Sequence, residues 1–315
     1  MSAIQRRAAI DIGTVTTRLL VADTDGVTIS EVERRTVVTQ LGRGLRASGS
    51  LAADAIERVA DAAADFARRI AELGATHVVA VATSAARDAD NGAQLLARLR
   101  EVGVEVTVIP GEVEARLSFA GATYALDVAD VLVADLGGGS TELVFGCAGE
   151  SAGVRTTRID AARSLDVGSR SVLDAFLDSD PPTSVEVERA SAWVVAQMRP
   201  YFATLTRPPL MLVTLAGTAT TLSAIALKLD VYDSTKVHGS RLSAIEVTRL
   251  RKMLAGMTVS ERRSVVGMDP ERADVIVAGS IILERIIGLA GLGETLVSEH
   301  DILYGLVLEG AAAPS

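Results

Sequence analysis

The stretch Asp135-Leu136-Gly137-Gly138-Gly139-Ser140-Thr141-Glu142, preceded by the apolar run Val131–Ala134, decides the reading of this chain. Glycine lacks a Cβ and reaches positive φ freely, so such a turn can aim several backbone N–H groups at one anion. Ser140 and Thr141 add hydroxyl donors. Asp135 ends an apolar strand, where a carboxylate is costly unless it is paired or holds a cation. Mg2+ suits that place, because it prefers few carboxylates, several waters and phosphate oxygens. The glycines lead into a second strand, Glu142–Gly146, rather than a helix. That excludes the dinucleotide fingerprint, whose glycines open a helix. No Gly-Lys-Ser/Thr P-loop occurs either.

Working outward, the same pattern stands near the N-terminus. Ala9-Ile10-Asp11-Ile12-Gly13-Thr14-Val15-Thr16-Thr17 aligns with Val133 to Thr141, as apolar strand, Asp, apolar residue, Gly, small residues, Thr and a new strand. One recurrence at a domain's spacing predicts two duplicated α/β domains, about residues 1–127 and 128–315, with a cleft between them. The C-terminal helix is free to pack back on the first domain. Expected strands are His77–Ala82, Val104–Ile109, Arg155–Ile159 and Leu210–Ala216. Expected helices are Leu51–Leu73, Gly92–Glu101, Glu112–Ala122, Val167–Phe176 and Val185–Tyr201. Thr83–Ala89 reads as a loop. Leu215 to Thr221 reads as a loop leading into a helix at Leu222–Leu229. There Gly217 and Thr218 fit either an anion at a helix start or plain N-capping by Thr218 or Thr220.

Composition limits the function. Lys+Arg number 31 against Asp+Glu 40, and a net charge of −9 lacks the basic footprint that nucleic acid requires. The one cysteine, Cys147, allows no intramolecular disulfide or Cys-rich zinc site. The first residues run into a strand without a signal-like apolar stretch, and the apolar run 275–292 is interrupted by Glu284 and Arg285. The expectation is a cytoplasmic protein with no membrane partner. The apolar helix 275–289 fits either a core element or a homodimer interface.

The motifs together resemble the exopolyphosphatase and guanosine-pentaphosphate phosphatase (Ppx/GppA) family, in its short form, of the actin-like ATPase superfamily. They are the paired Asp-x-Gly hairpins, Ala82 to Asn91, Ile109-Pro110-Gly111-Glu112-Val113-Glu114-Ala115-Arg116-Leu117, Ser164-Leu165-Asp166-Val167-Gly168, Gly217-Thr218, Val237-His238-Gly239, Arg272-Ala273-Asp274 and Ser298-Glu299-His300-Asp301. The resemblance implies two ribonuclease-H-like (actin-like) domains and hydrolysis of a terminal phosphoanhydride. It implies Glu114 as the water-activating base, with Asp135 and Glu142 holding Mg2+ or an ordered water and Asp11 as a further metal ligand. Gly13, Thr14, Thr17, Gly137, Gly138, Gly139, Ser140, Thr141, Gly217 and Thr218 are the implied phosphate contacts. Arg87 fits as a phosphate clamp, since a guanidinium matches phosphate bidentately, or as a local partner of Asp88 or Asp90.

The chain departs from the family pattern at Val15, where a polar residue is usual, and at Val113, where a second Glu is common. The expected substrate is inorganic polyphosphate, with release of orthophosphate. Guanosine pentaphosphate is the nearest alternative, against which the 3% aromatic content offers few stacking rings. A catalytically weak sensor of nucleotide or polyphosphate is a third class. A superfamily kinase fits less well, because its base is normally an Asp serving a sugar hydroxyl.

Overall fold

The computed structural model describes residues 4–151 and 154–312. The chain divides into two compact units, Met1–Tyr124 with Asp301–Ser315, and Ala125–His300.

The first unit opens with β1 (Gln5–Ile12), β2 (Thr16–Thr24) and β3 (Ile29–Val38). It continues through α1 (Leu45–Ser48), α2 (Ala53–Leu73), β4 (His77–Ala82), α3 (Ser84–Asp88), α4 (Gly92–Glu101), β5 (Thr107–Val108) and α5 (Gly111–Ala122). Its sheet runs β3-β2-β1-β4-β5, with the first three strands antiparallel and β1-β4-β5 parallel. A parallel centre is covered on both faces, so β1 is apolar on both. Alternate residues serve opposite layers. Ala8, Ile10 and Ile12 pack with Val59, Phe66 and Leu95 of α2 and α4, whereas Ala9, Leu20 and Val81 pack with Leu117 of α5 and with residues 302–307.

The second unit repeats the plan. It holds β6 (Val128–Leu136), β7 (Thr141–Ser151), β8 (Val154–Leu165), α6 (Ser169–Phe176), α7 (Ser184–Phe202), β9 (Met211–Leu215) and α8 (Ala216–Ala226). After these come α9 (Ser234–Val237), β10 (Arg241–Ser243), α10 (Ala244–Ala255), α11 (Val259–Arg262), α12 (Ile276–Ala290) and β11 (Glu294–Val297). The sheet order is β10-β11-β9-β6-β7-β8. Read from β8, it matches the first sheet strand for strand, with β10 added at the far edge. The core gathers Leu132, Leu143 and Phe145 against α7, α8, α10 and α12, and α12 buries eleven residues, nine of them in this core.

The last helix, α13 (Ile302–Ala312), groups with the first unit and crosses α5 closely. A Cβ on Gly121 would lie 1.9 Å from the Asp301 carbonyl oxygen, and one on Gly305 would lie 2.2 Å from that of Leu117. Both glycines are therefore required by the crossing. No described helix is long and apolar enough to cross a membrane.

Four local expectations change, the first being the strand expected over Val104–Ile109, which shortens to Thr107–Val108. Thr83–Ala89 contains the short helix α3, which places Arg87 in its last turn rather than in a loop. Helix α8 starts at Ala216, six residues before the expected Leu222, and neither Thr218 nor Thr220 caps it. Gly217, Thr218 and Thr220 hide that start, because small and β-branched residues carry little helical pattern of their own. β10 is an addition, since a three-residue edge strand leaves no period to read.

Candidate functional site

The Gly-rich turn of the second unit is built on α6. Gly137 N–H closes the turn on the Ser140 carbonyl at 3.0 Å. The Gly137 carbonyl accepts from Ser169 N at 3.0 Å, and the Gly138 carbonyl from Arg170 N at 2.7 Å and Ser171 N at 3.2 Å. The Gly139 carbonyl accepts from the Ser171 hydroxyl at 3.3 Å. A trans peptide points its C=O and N–H in opposite directions. With these carbonyls tied to α6, the N–H groups of Gly138, Gly139 and Ser140 face away from it, as an anion cradle needs. The N-terminal N–H groups of α6 are spent as a platform for the turn. Gly168 makes the contact possible, because a Cβ there would stand 2.2 Å from the Gly138 carbonyl oxygen.

The turn of the first unit repeats the device. Gly13 N–H closes on the Thr16 carbonyl at 2.9 Å. The Thr14 carbonyl accepts from Gly42 N, and the Val15 carbonyl from Thr39 N and Gln40 N, all at 2.9 Å. By the same peptide geometry the N–H groups of Val15 and Thr16 face away from the 39–42 loop. The missing side-chain donor at Val15 thus leaves this backbone device in place. Thr17 and Thr141, expected as phosphate donors, are fully buried and engaged inside the fold. Thr17 Oγ1 meets Thr39 Oγ1 at 3.1 Å, and Thr141 Oγ1 donates to the Val167 carbonyl. They brace the turns.

Charge separates the two turns. Asp135 stands directly opposite Glu142 in the β6–β7 ladder, and both carboxylates are buried. Ser164 Oγ donates to Glu142 Oε1 at 2.7 Å. Like charges at directly opposed positions repel, and burial raises the cost. The equivalent ladder partner of Asp11 is Arg18, which reaches Asp11 Oδ2 with Nη2 at 2.6 Å and Nε at 3.0 Å. The same guanidinium binds Asp301 Oδ2 at 2.5 Å, and Asp301 Oδ1 accepts from Leu303 N at the start of α13. Burial pushes the Asp11 carboxyl above its ordinary value, with Arg18 opposing that shift and Asp301 adding to it.

This decides how well a cation fits each turn. The facing acids Asp135 and Glu142, beside outward N–H groups, suit a hard cation held through one or both carboxylates. Among the described residues no group of three or more His, Cys, Asp or Glu converges, so such an ion would keep water and phosphate ligands, as Mg2+ does. Asp11, expected as a third ligand, spends Oδ2 on Arg18 and keeps Oδ1 buried without a hydrogen-bond partner, so it is the poorer seat of the two because a cation already stands beside it.

Glu114 lies in the first turn of α5, which Pro110 opens and Gly111 starts. It is buried, and its Oε2 lies 3.6 Å from Arg87 Nη1. Arg87 also donates to the Ile109 carbonyl at 3.2 Å and lies 3.6 Å from Asp88. The local pairing with Asp88 is thus present, and the same guanidinium stands beside Glu114.

In the second unit, Gly217 is overlaid by Arg272, a side chain to which the sequence alone assigns no role. An ideal Cβ at Gly217 would fall 1.4 Å from Arg272 Nη1, so the guanidinium rests on the glycine. Thr218 is backed by Gly279 of α12, whose Cβ would lie 2.2 Å from Thr218 Oγ1. Ala216 takes φ 65° at the strand-to-helix change, a left-handed value rare outside glycine and typical of sites held by their surroundings. Arg18 is the other residue that the motifs overlook. Its signal is present in the chain, since it follows Asp11 by the same seven positions that separate Glu142 from Asp135.

Two units of one sheet topology, each ending β-strands in an Asp-bearing anion turn, define an actin-like protein that handles phosphate. The chain belongs to the Ppx/GppA phosphatase family, whose pattern it matches over residues 20–300. It is 39% identical to exopolyphosphatase 2 of Mycobacterium tuberculosis, over 97% of this chain and 98% of that one. Among solved structures it is similar to an exopolyphosphatase from Cytophaga hutchinsonii (28% identity, TM-score 0.86, 97% of this chain and 98% of that one). The Aquifex aeolicus Ppx/GppA enzyme is also similar (31% identity, TM-score 0.80, 98% of this chain and 100% of that one). The fold is the actin-like ATPase fold with two domains.

Proposed function

We propose that this protein is an exopolyphosphatase, which hydrolyses the terminal phosphoanhydride of inorganic polyphosphate and releases orthophosphate. The observation that carries the reading is the second unit's turn, where N–H groups of Gly138, Gly139 and Ser140 lie beside the buried pair Asp135 and Glu142. That combination offers both halves of what a phosphate chain end needs, donors for its oxygens and a seat for its counter-cation. The exopolyphosphatase names of the relatives agree with it.

Phosphoryl transfer to water needs an in-line nucleophile, an acceptor for its proton and stabilisation of charge on the equatorial oxygens. Glu114 takes the proton, and Arg87 Nη1, 3.6 Å away, holds that carboxylate in place. In the second unit the turn N–H groups bind non-bridging oxygens, with Gly137 and Ser140 shaping the turn and Gly217 and Thr218 adding the start of α8; the turn of the first unit, shaped by Gly13 and Thr14, offers N–H groups of the same kind. Arg272, resting on Gly217, brings a guanidinium to that loop. Mg2+ at Asp135 and Glu142 would neutralise phosphate charge when bound.

A guanosine-bearing substrate, guanosine pentaphosphate, is the second reading. What favours it is Tyr232, half exposed and hydrogen-bonded through its hydroxyl to Glu299, with Thr220 and Arg272 of the Gly217 region near enough to act on that hydroxyl, so that it offers a stacking face there. Orthophosphate release from long-chain polyphosphate, run beside guanosine pentaphosphate in Mg2+, separates the two. The first reading expects release from polyphosphate that is indifferent to Tyr232→Ala. Release from the guanosine substrate alone, lost in Tyr232→Ala, would replace it with the second. Binding without release on either would make the protein a sensor.

A further inference from the structure

Apart from its Gly-rich turn, the second unit carries a groove of about 780 Å3 along α12, walled by α7 and α10. Its volume lies within the range of about 300–1,000 Å3 common to small-molecule sites. Val187, Ala192 and Val195 give it an apolar floor, with Ile281 of the core beneath. Its charged lining is Arg251, Lys252 and Arg285 against Glu188 and Glu284, which leaves an excess of one positive charge (three less two). In a chain of net charge −9 this local balance runs against the average.

The hydrogen-bond arithmetic sharpens the point. Glu284 accepts from Thr248 Oγ1 at 2.7 Å, Arg251 Nε at 2.6 Å and Arg285 Nη2 at 2.7 Å, so three of its carboxylate's roughly four acceptor positions are taken. Burial pushes the Glu284 carboxyl up, but these donors outweigh it and hold it below its ordinary value. A guanidinium carries five N–H donors. Each of these two spends one nitrogen on Glu284 and meets no other protein acceptor among the described residues, and Arg285 Nε is buried without one. Two part-buried guanidinium groups sharing one carboxylate leave donors and charge unanswered where water is partly excluded.

We propose that this groove binds a small amphiphilic organic anion, its apolar body on Val187, Ala192 and Val195 and its carboxylate, sulfonate or phosphate at Arg251, Lys252 and Arg285. The site does not depend on which phosphoanhydride the protein hydrolyses. It shares α12 with Gly279, which backs Thr218 of the phosphate loop five residues before Glu284, about 7.5 Å along the helix. An occupant therefore rests on the element that supports that loop.

The test is a fluorescence titration of the full chain with 8-anilinonaphthalene-1-sulfonate, in excess tripolyphosphate so that the phosphate turns are occupied. The expected result is saturable binding at one site, weakened at least 10-fold by Lys252→Glu, which reverses an exposed charge, and by Ser191→Trp, which fills the groove. Both variants should keep the wild-type melting temperature, and Lys252→Glu decides alone if Ser191→Trp does not fold. Absence of saturable binding, or equal affinity in the wild type and Lys252→Glu, would overturn the proposal.

Discussion

The two hairpin turns share a backbone device and differ in one charge. In both, a Gly N–H closes the turn and neighbouring elements tie down the next carbonyls, so that N–H groups face outward. Opposite the strand-end Asp, the first unit carries Arg18 and the second carries Glu142. The first turn is thus neutralised from within, by a guanidinium that also fastens Asp301 at the start of α13. The second sets two acids against each other across its ladder. Duplication supplied one scaffold twice, and a single ladder position assigned the copies different electrostatic duties.

The largest expected effect lies on the chemistry placed in the first unit. Glu114→Gln should lower phosphate release by about 10²–10⁴-fold, the usual worth of a positioned general base. Polyphosphate binding, followed by filter retention, should stay close to wild type. Unimpaired release would remove Glu114 from the mechanism and leave the first unit without a catalytic group.

Next comes the charge difference itself. Arg18→Met strands the carboxylate of Asp11 and leaves Asp301 only the longer pair with Arg34 at 3.7 Å; both side chains are 4% exposed, and the change should cost about 3–5 kcal/mol in urea denaturation. Glu142→Gln, which relieves a like-charge pair, should cost far less. Similar losses in both variants would mean that the two ladder positions do equivalent work.

A steric contrast is smaller. Ala at 168 places its Cβ 2.2 Å from a backbone oxygen of the turn, whereas Ala at 42 meets only Thr14 Cγ2 at 2.3 Å, the end of a side chain that can turn away. Gly168→Ala should therefore cut phosphate release several times more than Gly42→Ala, at equal enzyme and saturating Mg2+.

The smallest effect is a pH dependence away from both turns, again with one group in each unit. Thr183 backbone N–H and hydroxyl hold Glu186 at about 2, and the 27–28 backbone N–H groups with the Thr28 hydroxyl hold Asp25 at about 2. Both are depressed carboxylates, so their stabilisation is present above the ordinary values of 4.5 and 3.8 and is lost as pH falls towards 2. The urea midpoint should drop over that window, and Glu186→Gln should flatten part of the drop.

Much of this is legible in the sequence for a physical reason. A buried strand that ends in Asp and a run of glycine is expensive unless it binds something, so Asp135 to Glu142 announces itself, and its partner at Asp11 emerges by alignment. The internal pairing is less legible. Arg18 looks like one more polar residue on β2, because only the ladder register sets it against Asp11. Thr17 and Thr141 read as ligand donors, since a hydroxyl next to a glycine turn looks the same in sequence whether it faces a phosphate or braces a neighbouring strand. The close crossing of α5 and α13 through Gly121 and Gly305 joins residues far apart in the chain and leaves no local period.

The most direct test of the central claim, that the cation seat belongs to the second turn and not the first, is the Mg2+ dependence of phosphate release from long-chain polyphosphate. We predict that Asp135→Asn and Glu142→Gln each raise the half-saturating Mg2+ concentration at least 10-fold, while Asp11→Asn shifts it less than 2-fold. A large shift in Asp11→Asn with none in the other two would contradict the account and move the metal to the first unit.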